Sequence, residues 1–386
     1  MAKLPKKLEQ KLEKRRVADA LRVLTCPQGL TDFSSNDYLG LTQNQDLANA
    51  AARLLKEKKL SSNGSTGSRL LTGNHILYKE LEDFLRGYHN SEAALVFNSG
   101  YDANVGLFSS IPQRGDIIFY DELVHASIRD GIQMSHAKSY KFAHNDFEDL
   151  KSKIEMSLRA QSRSLDVEVY VVTESVFSMD GDSSDLKTFA QFCSQNNYHL
   201  IVDEAHATGI FGDRKDLICE LGLEKDVFAR IITFGKALGN HGAAVLCSDE
   251  LKTYLINFAR SLIYTTALSP HSIASILTTY HYLQDKGKEE HTKLILNIRY
   301  FKEQIQSLKL ENKFIQSDSS IHCLVLSGNQ QVKQLSKYLK EEGFDVKPIL
   351  SPTVKQGEER LRFCLHSYNS KEEISRVLSL IKNGIN

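Results

Sequence analysis

Two apolar runs in this chain end in charged residues that could do chemistry together. Ile231-Ile232-Thr233-Phe234-Gly235-Lys236-Ala237 is β-branched and apolar until it meets a lysine and a small turn. Earlier, Leu200-Ile201-Val202-Asp203-Glu204-Ala205-His206 is a second apolar run, closed by two acids and a histidine. A lysine amine shifts its pKa readily, which suits it to Schiff-base chemistry. A lone strand-end lysine is more often a surface charge on a buried stem, so the other motifs must decide.

Asn98-Ser99-Gly100-Tyr101-Asp102-Ala103-Asn104 follows an apolar strand and opens a helix. Free N–H groups and the positive dipole end make such a start either a phosphate cup or an ordinary capped helix. Gly64-Ser65-Thr66-Gly67-Ser68-Arg69 is a weaker phosphate loop, without the ending of a Walker A, and no Walker A occurs elsewhere. The Asp203-Glu204-Ala205-His206 box is associated with helicases. Without a P-loop lysine that reading falls, and Lys+Arg and Asp+Glu, at 48 each, supply no track for nucleic acid. His125, just after a strand, either lies flat on an aromatic cofactor or caps the next helix. His125, His206, Asp203 and Glu204 lack any metal-ligand spacing, so no metal is expected. Ser178 lacks the flanking glycines of a nucleophile elbow. It is a turn serine or a donor to a cofactor.

The elements that must position these residues are legible as short apolar runs. Candidate strands are Ala93–Asn98, Asp116–Tyr120, Val169–Thr173, His199–Val202, Arg230–Phe234 and Ala243–Cys247, alternating with helical stretches. That pattern predicts an α/β fold with a mainly parallel sheet, helices on both faces, and active residues at the strands' carboxyl ends. Leu4, Leu8, Leu12, Val17 and Leu21 among basic residues predict an amphipathic N-terminal helix. We expect an N-terminal helix and arm over 1–45, a large domain over 46–275 and a smaller C-terminal α+β domain over 276–386. Cys26, Cys193, Cys219, Cys247, Cys323 and Cys364 form no C-x-x-C pair and read as reduced thiols. No apolar run reaches spanning length and the N-terminus lacks a signal-peptide core, so the expectation is a cytoplasmic protein with no membrane partner.

Together these segments resemble the α-oxoamine synthases, fold type I pyridoxal 5'-phosphate enzymes that condense an amino acid with an acyl thioester. The resemblance runs through Ser34–Gly40, Gly64–Arg69, Asn98–Asn104, His125–Ser127, Phe142–Asp146, Phe177–Asp182, Asp203–Gly209, Thr233–Lys236, Ile263–Thr266 and Arg360–Arg362. It implies that Lys236 forms the Schiff base with the cofactor and later acts as the base at Cα. Asp203 would pair with the pyridine nitrogen, His206 would contact the ring oxygen, and His125 would stack on the ring. Ser178 would be a further cofactor contact. Thr233, Gly100 and Tyr101 would hold the phosphate, with Thr265 or Thr266 reaching that of a neighbouring subunit in a homodimer. Asn36 and Arg362 would hold the amino acid's carboxylate, a task suited to arginine's planar fork.

Within the family, Arg15-Arg16-Val17-Ala18-Asp19-Ala20-Leu21-Arg22 and Pro352-Thr353-Val354 are most similar to members that join L-alanine to a pimeloyl thioester in biotin synthesis. There Arg22 and Thr353 would meet the acyl substrate, carried by coenzyme A or an acyl carrier protein. Two departures stand out. The segment between Leu24 and Asp32 is shorter than in familiar members, and Leu350 stands where they have an arginine. A different acyl group is the alternative, as in ligases that use glycine or enzymes that take long acyl chains; Arg22 or Lys347 would otherwise supply the missing cation.

Overall fold

The computed structural model describes residues 4–24, 29–160 and 167–385. Cys26 and residues 25–28 of the short segment after Leu24 lie outside them, as do the first three residues of the N-terminal stretch. The chain divides into two compact units. One contains Leu39–Ser178 and Ser183–Thr292; the other contains Met1–Tyr38, Met179–Asp182 and Lys293–Asn386.

The larger unit is built on a seven-stranded sheet: β1 (Ala93–Phe97), β2 (Ile117–Asp121), β3 (Lys138–Phe142), β4 (Val169–Glu174), β5 (His199–Asp203), β6 (Ala229–Thr233) and β7 (Ala243–Cys247). Their order is β1-β7-β6-β5-β4-β2-β3, and only β7 runs antiparallel to its neighbours. Strand alternation sends β4's Val169 and Val171 into one apolar layer, with Leu150, Phe189 and Cys193 from helices Phe147–Ala160 and Leu186–Asn196. Tyr170 and Val172 enter the opposite layer, with Leu107 and Ile128 from helices Gly100–Ser110 and Ala126–Met134. Both faces are therefore dry, which is why these strands read as continuous apolar runs rather than alternating ones.

β3 was not among the strands expected from the sequence. It is an edge strand, at the opposite end of the sheet from β1, and all of it except Phe142 is exposed. Lys138 and Lys141 make it polar, as edges that must resist pairing commonly are.

The smaller unit holds an antiparallel sheet of Lys347–Ile349, Arg360–Cys364 and Ile321–Val325, with helices Asn329–Glu341 and Lys371–Gly384. Thr31–Asp32 pairs in parallel with Phe344–Asp345. The N-terminal helix spans Lys6–Val17 and buries none of its residues. Leu8 and Leu12 stay exposed on it, and Leu4 and Leu21 fall outside its ends. Among the described residues, no helix is long and apolar enough to cross a membrane.

Candidate active site

The site lies where the parallel strands run out. β5 delivers Asp203 at its last position and the following turn carries His206, while β6 ends at Thr233, three residues before Lys236. Helix Gly100–Ser110 opens directly after β1, capped by Ser99, whose Oγ accepts the Asp102 N–H at 3.0 Å. A Cβ on residue 100 would stand 2.8 Å from Thr233 Cγ2, so glycine is what allows the helix start and the strand end to close together. The result is a cavity of about 240 Å³ lined by Gly100, Tyr101, His125, Ser178, Asp203, His206, Thr233 and Lys236.

Four further side chains line it that the sequence reading did not single out: Asn104, Ser127, Glu174 and His241. Asp203 is almost fully buried, and each of its oxygens takes a bond. Oδ1 accepts the Ala205 N–H at 3.0 Å and Oδ2 accepts from Asn104 Nδ2 at 2.8 Å. Asn104 Nδ2 also donates to Ser127 Oγ at 3.0 Å, and Ser127 Oγ lies 2.7 Å from His125 Nδ1. His125 caps helix Ala126–Met134, and its backbone N–H donates to Glu174 Oε1 at 2.5 Å. Burial pulls the His125 pKa down; Asp203 opposes this and the Lys236 ammonium adds to it. Burial pushes Glu174 well above the carboxylate range, reinforced by the nearby Asp203.

The remaining residues expected from the sequence lie elsewhere. Thr265 and Thr266 are tied to Asn98, whose Nδ2 donates to Thr265 Oγ1 at 3.1 Å and to the Thr266 carbonyl at 2.6 Å. Arg22, Asn36, Thr353 and Arg362 belong to the smaller unit. There Arg362, almost fully buried, donates to Asn36 Oδ1 at 3.0 Å, and Arg22 reaches Thr353 Oγ1 at 3.4 Å. Lys347 is paired with Asp345 at 2.9 Å.

The donor set of the cavity fits pyridoxal 5'-phosphate. A helix start and the Thr233 hydroxyl suit a phosphate dianion, a buried carboxylate suits a pyridinium, and an amine suits an aldehyde. On a mainly parallel sheet with helices on both faces, such a constellation defines a fold type I pyridoxal-phosphate enzyme.

Comparison with known proteins narrows the class. Residues 28–381 match the family model described as aminotransferase class I and II. The 8-amino-7-oxononanoate synthase of Emericella nidulans is 41% identical over 398 residues, covering 99% of this chain and 97% of the relative. That of Lysinibacillus sphaericus is 36% identical, covering 91% and 87%. Among solved structures, Sphingomonas wittichii serine palmitoyltransferase superimposes with a TM-score of 0.88 at 27% identity, covering 99% of this chain and 98% of that one. The 8-amino-7-oxononanoate synthase of Francisella tularensis gives 0.76 at 28%, covering 92% and 98%. The chain belongs to the aminotransferase class I and II family and, within it, to the α-oxoamine synthases.

Proposed function

We propose that this protein catalyses the decarboxylative condensation of L-alanine with a pimeloyl thioester, giving 8-amino-7-oxononanoate, carbon dioxide and free thiol, a step of biotin synthesis. The observation that carries the proposal is 41% identity, end to end, with a synthase of that name. The convergence of Lys236, Asp203, His206, His125 and Thr233 on one cavity supports it.

Bound pyridoxal phosphate supplies the electron sink for a carbanion at the amino acid's Cα. The protein's own groups do the rest. Asp203 would keep a proton on the ring nitrogen, its carboxylate held in place by Asn104 and the Ala205 N–H. Lys236 takes the proton from Cα and returns it after carbon dioxide has left. Gly100, Tyr101 and Thr233 would hold the phosphate, and His206, Ser178 and His125, which line the same cavity, would hold the ring. Asn36 and Arg362 bind the carboxylate, the guanidinium already oriented by the Asn36 oxygen. Arg22 and Thr353 meet the acyl substrate, carried by coenzyme A or an acyl carrier protein.

The protein works in the cytoplasm as a homodimer with Thr265 and Thr266 at the partner's phosphate. Support comes from Leu70 and Leu71, which stand exposed on a turn packed with helix Arg260–Ile263, and from neighbouring Tyr264, also exposed. A second reading, a longer acyl chain, is favoured by Leu350, an apolar residue where familiar relatives carry an arginine. The test is a visible spectrum of the purified protein, then thiol release with alanine, glycine or serine against pimeloyl-CoA and palmitoyl-CoA. Release with alanine and pimeloyl-CoA establishes the first reading. Release with palmitoyl-CoA alone establishes the second. No visible absorbance after loading with pyridoxal phosphate overturns both.

A further inference from the structure

We propose that Asn104 and Ser127 are positioning residues that hold the His125 imidazole in one tautomer, with its proton on Nε2, so that this histidine meets substrate as an N–H donor. The inference deepens the reading above, since it assigns His125 a direction of hydrogen bonding in the same cavity.

One chain of contacts runs from Asp203 through Asn104 and Ser127 to His125. Both Asp203 carboxylate oxygens act as acceptors, Oδ1 from the Ala205 N–H. The partner of Oδ2 at 2.8 Å is the Asn104 amide, which must present nitrogen, because an amide oxygen there would face a carboxylate. Asn104 is almost fully buried, and its Oδ1 has no partner. Leaving a buried acceptor unpaired costs about 1–3 kcal/mol, so the amide's orientation is set by its donors. One N–H goes to Asp203 Oδ2 and the other to Ser127 Oγ at 3.0 Å. The Ser127 oxygen is thereby an acceptor, and its single proton remains for the atom 2.7 Å away, His125 Nδ1. The Ser127 backbone N–H also points at Nδ1, at 3.3 Å. Two donors converge on Nδ1, which must carry the lone pair, and in a neutral imidazole the proton then sits on Nε2. A ring whose Nδ1 accepts two donors is neutral, and the downward shift of the His125 pKa runs the same way. The Asp203 carboxylate, as an acceptor, therefore fixes through two side chains the polarity of a histidine that lines the cavity.

An Nε2–H group donates to a carboxylate or a thioester carbonyl oxygen and takes no proton from Cα, which leaves Lys236 as the base.

The test is two-bond ¹H–¹⁵N correlation of the full-length protein labelled at histidine, with His125→Asn to assign the signal. The expected result is one pyridine-like Nδ1 and one pyrrole-like Nε2 at His125. In Ser127→Ala the two nitrogen shifts should converge as both tautomers become populated, and Asn104→Ala should move them the same way if Ser127→Ala fails to fold. In either variant kcat should fall about tenfold with little change in KM, as expected when an interaction confined to the transition state weakens. A protonated Nδ1 in the unsubstituted protein, or an unchanged pattern in folded Ser127→Ala, overturns the proposal. The spectrum needs no substrate turnover, so a protein that releases thiol but shows protonated Nδ1 loses only this inference. One with the expected tautomer and no thiol release loses only the synthase reading.

Discussion

Among the described residues of the larger unit, one histidine network lines the cavity, at the exposed His125, and another is built around the fully buried His89. At His125 a hydroxyl, an amide and a carboxylate follow one another, ending at Asp203. At His89 the ring Nδ1 lies 2.6 Å from Asp216 Oδ2 and Nε2 lies 3.0 Å from the Tyr280 hydroxyl. Arg230 donates to both Asp216 oxygens, at 3.1 and 3.2 Å, and to the His89 carbonyl at 2.6 Å. His89, Asp216 and Cys219 offer ligand-type atoms within 4.8 Å of one another, yet the guanidinium already occupies the place a cation would take. Every polar direction of the His89 ring is used inside the protein, whereas His125 keeps one nitrogen for the cavity.

The same contrast separates two adjacent residues. Asp203 faces the cavity. Glu204 turns away, and its oxygens accept the Leu217 and Ile218 N–H groups at 2.8 and 3.2 Å, anchoring the start of a short helix. The acid-acid-Ala-His box is thus half site and half scaffold. Being buried and ionisable does not mark a functional group; keeping a bonding direction toward a cavity does.

Substitutions on the two sides of that contrast should fail in different ways. The largest effect is expected for Lys236→Ala. Turnover should drop by about 10⁴-fold or more, the upper end of what a positioned base contributes, with the fold retained by circular dichroism. Substantial steady-state thiol release would remove Lys236 from its role. Next is Asp216→Ala, which strands the buried Arg230 charge and should cost about 3–5 kcal/mol of stability, read as a lowered urea midpoint. A midpoint within error of the parent would mean the His89 network is not holding the fold. Asp203→Asn keeps the shape and loses the charge. It should lower kcat by about 10²–10³-fold, the scale for one preorganised electrostatic contact, with a midpoint shift far smaller than that of Asp216→Ala. If both substitutions chiefly destabilise, the distinction between the networks collapses.

How much of this was legible beforehand follows the same line. Six of the seven sheet strands stand out in sequence because burial on both faces writes long apolar runs; β3 does not, because an edge strand with two lysines looks like a loop. Lys236, Asp203, His206 and Thr233 were visible because polar groups at the ends of such runs are conspicuous, and they do line one cavity. Asn104 and Ser127 were not, since an asparagine inside a helix and a serine in its first turn are ordinary. Their meaning comes from contacts among residues 104, 127 and 203, which only the sheet brings together. A signal existed in hindsight: both sit on elements already suspected, the phosphate-cup helix and the His125 segment. The amphipathic pattern at the N-terminus predicted a helix correctly, but helical period says nothing about what covers its apolar face, and here that face is bare.

The smallest expected effect tests the boundary between the two kinds of network. Glu174 lines the cavity like Asp203, yet it is fully buried like Glu204, and its Oε1 holds the His125 backbone. Burial raises its folded-state pKa well above the ordinary 4.5, with Asp203 adding to the shift. A carboxyl raised in this way is neutral in the fold. The sign follows from linkage: the stability it contributes is fully present below the unfolded pKa and is lost as pH rises through the folded one. Glutamine mimics the neutral acid and keeps an oxygen for the His125 N–H. Glu174→Gln should therefore match the parent within about 1 kcal/mol at pH 5, the net worth of one hydrogen bond. It should then gain on the parent as pH rises, because the parent's unfolded chain ionises Glu174 while its fold keeps the group neutral. Urea midpoints of the two proteins across pH 5 to 9 decide it. A gap that does not grow in the variant's favour toward high pH would mean that Glu174 is ionised in the fold, and would place it with Asp203 as a second acid acting on the cavity.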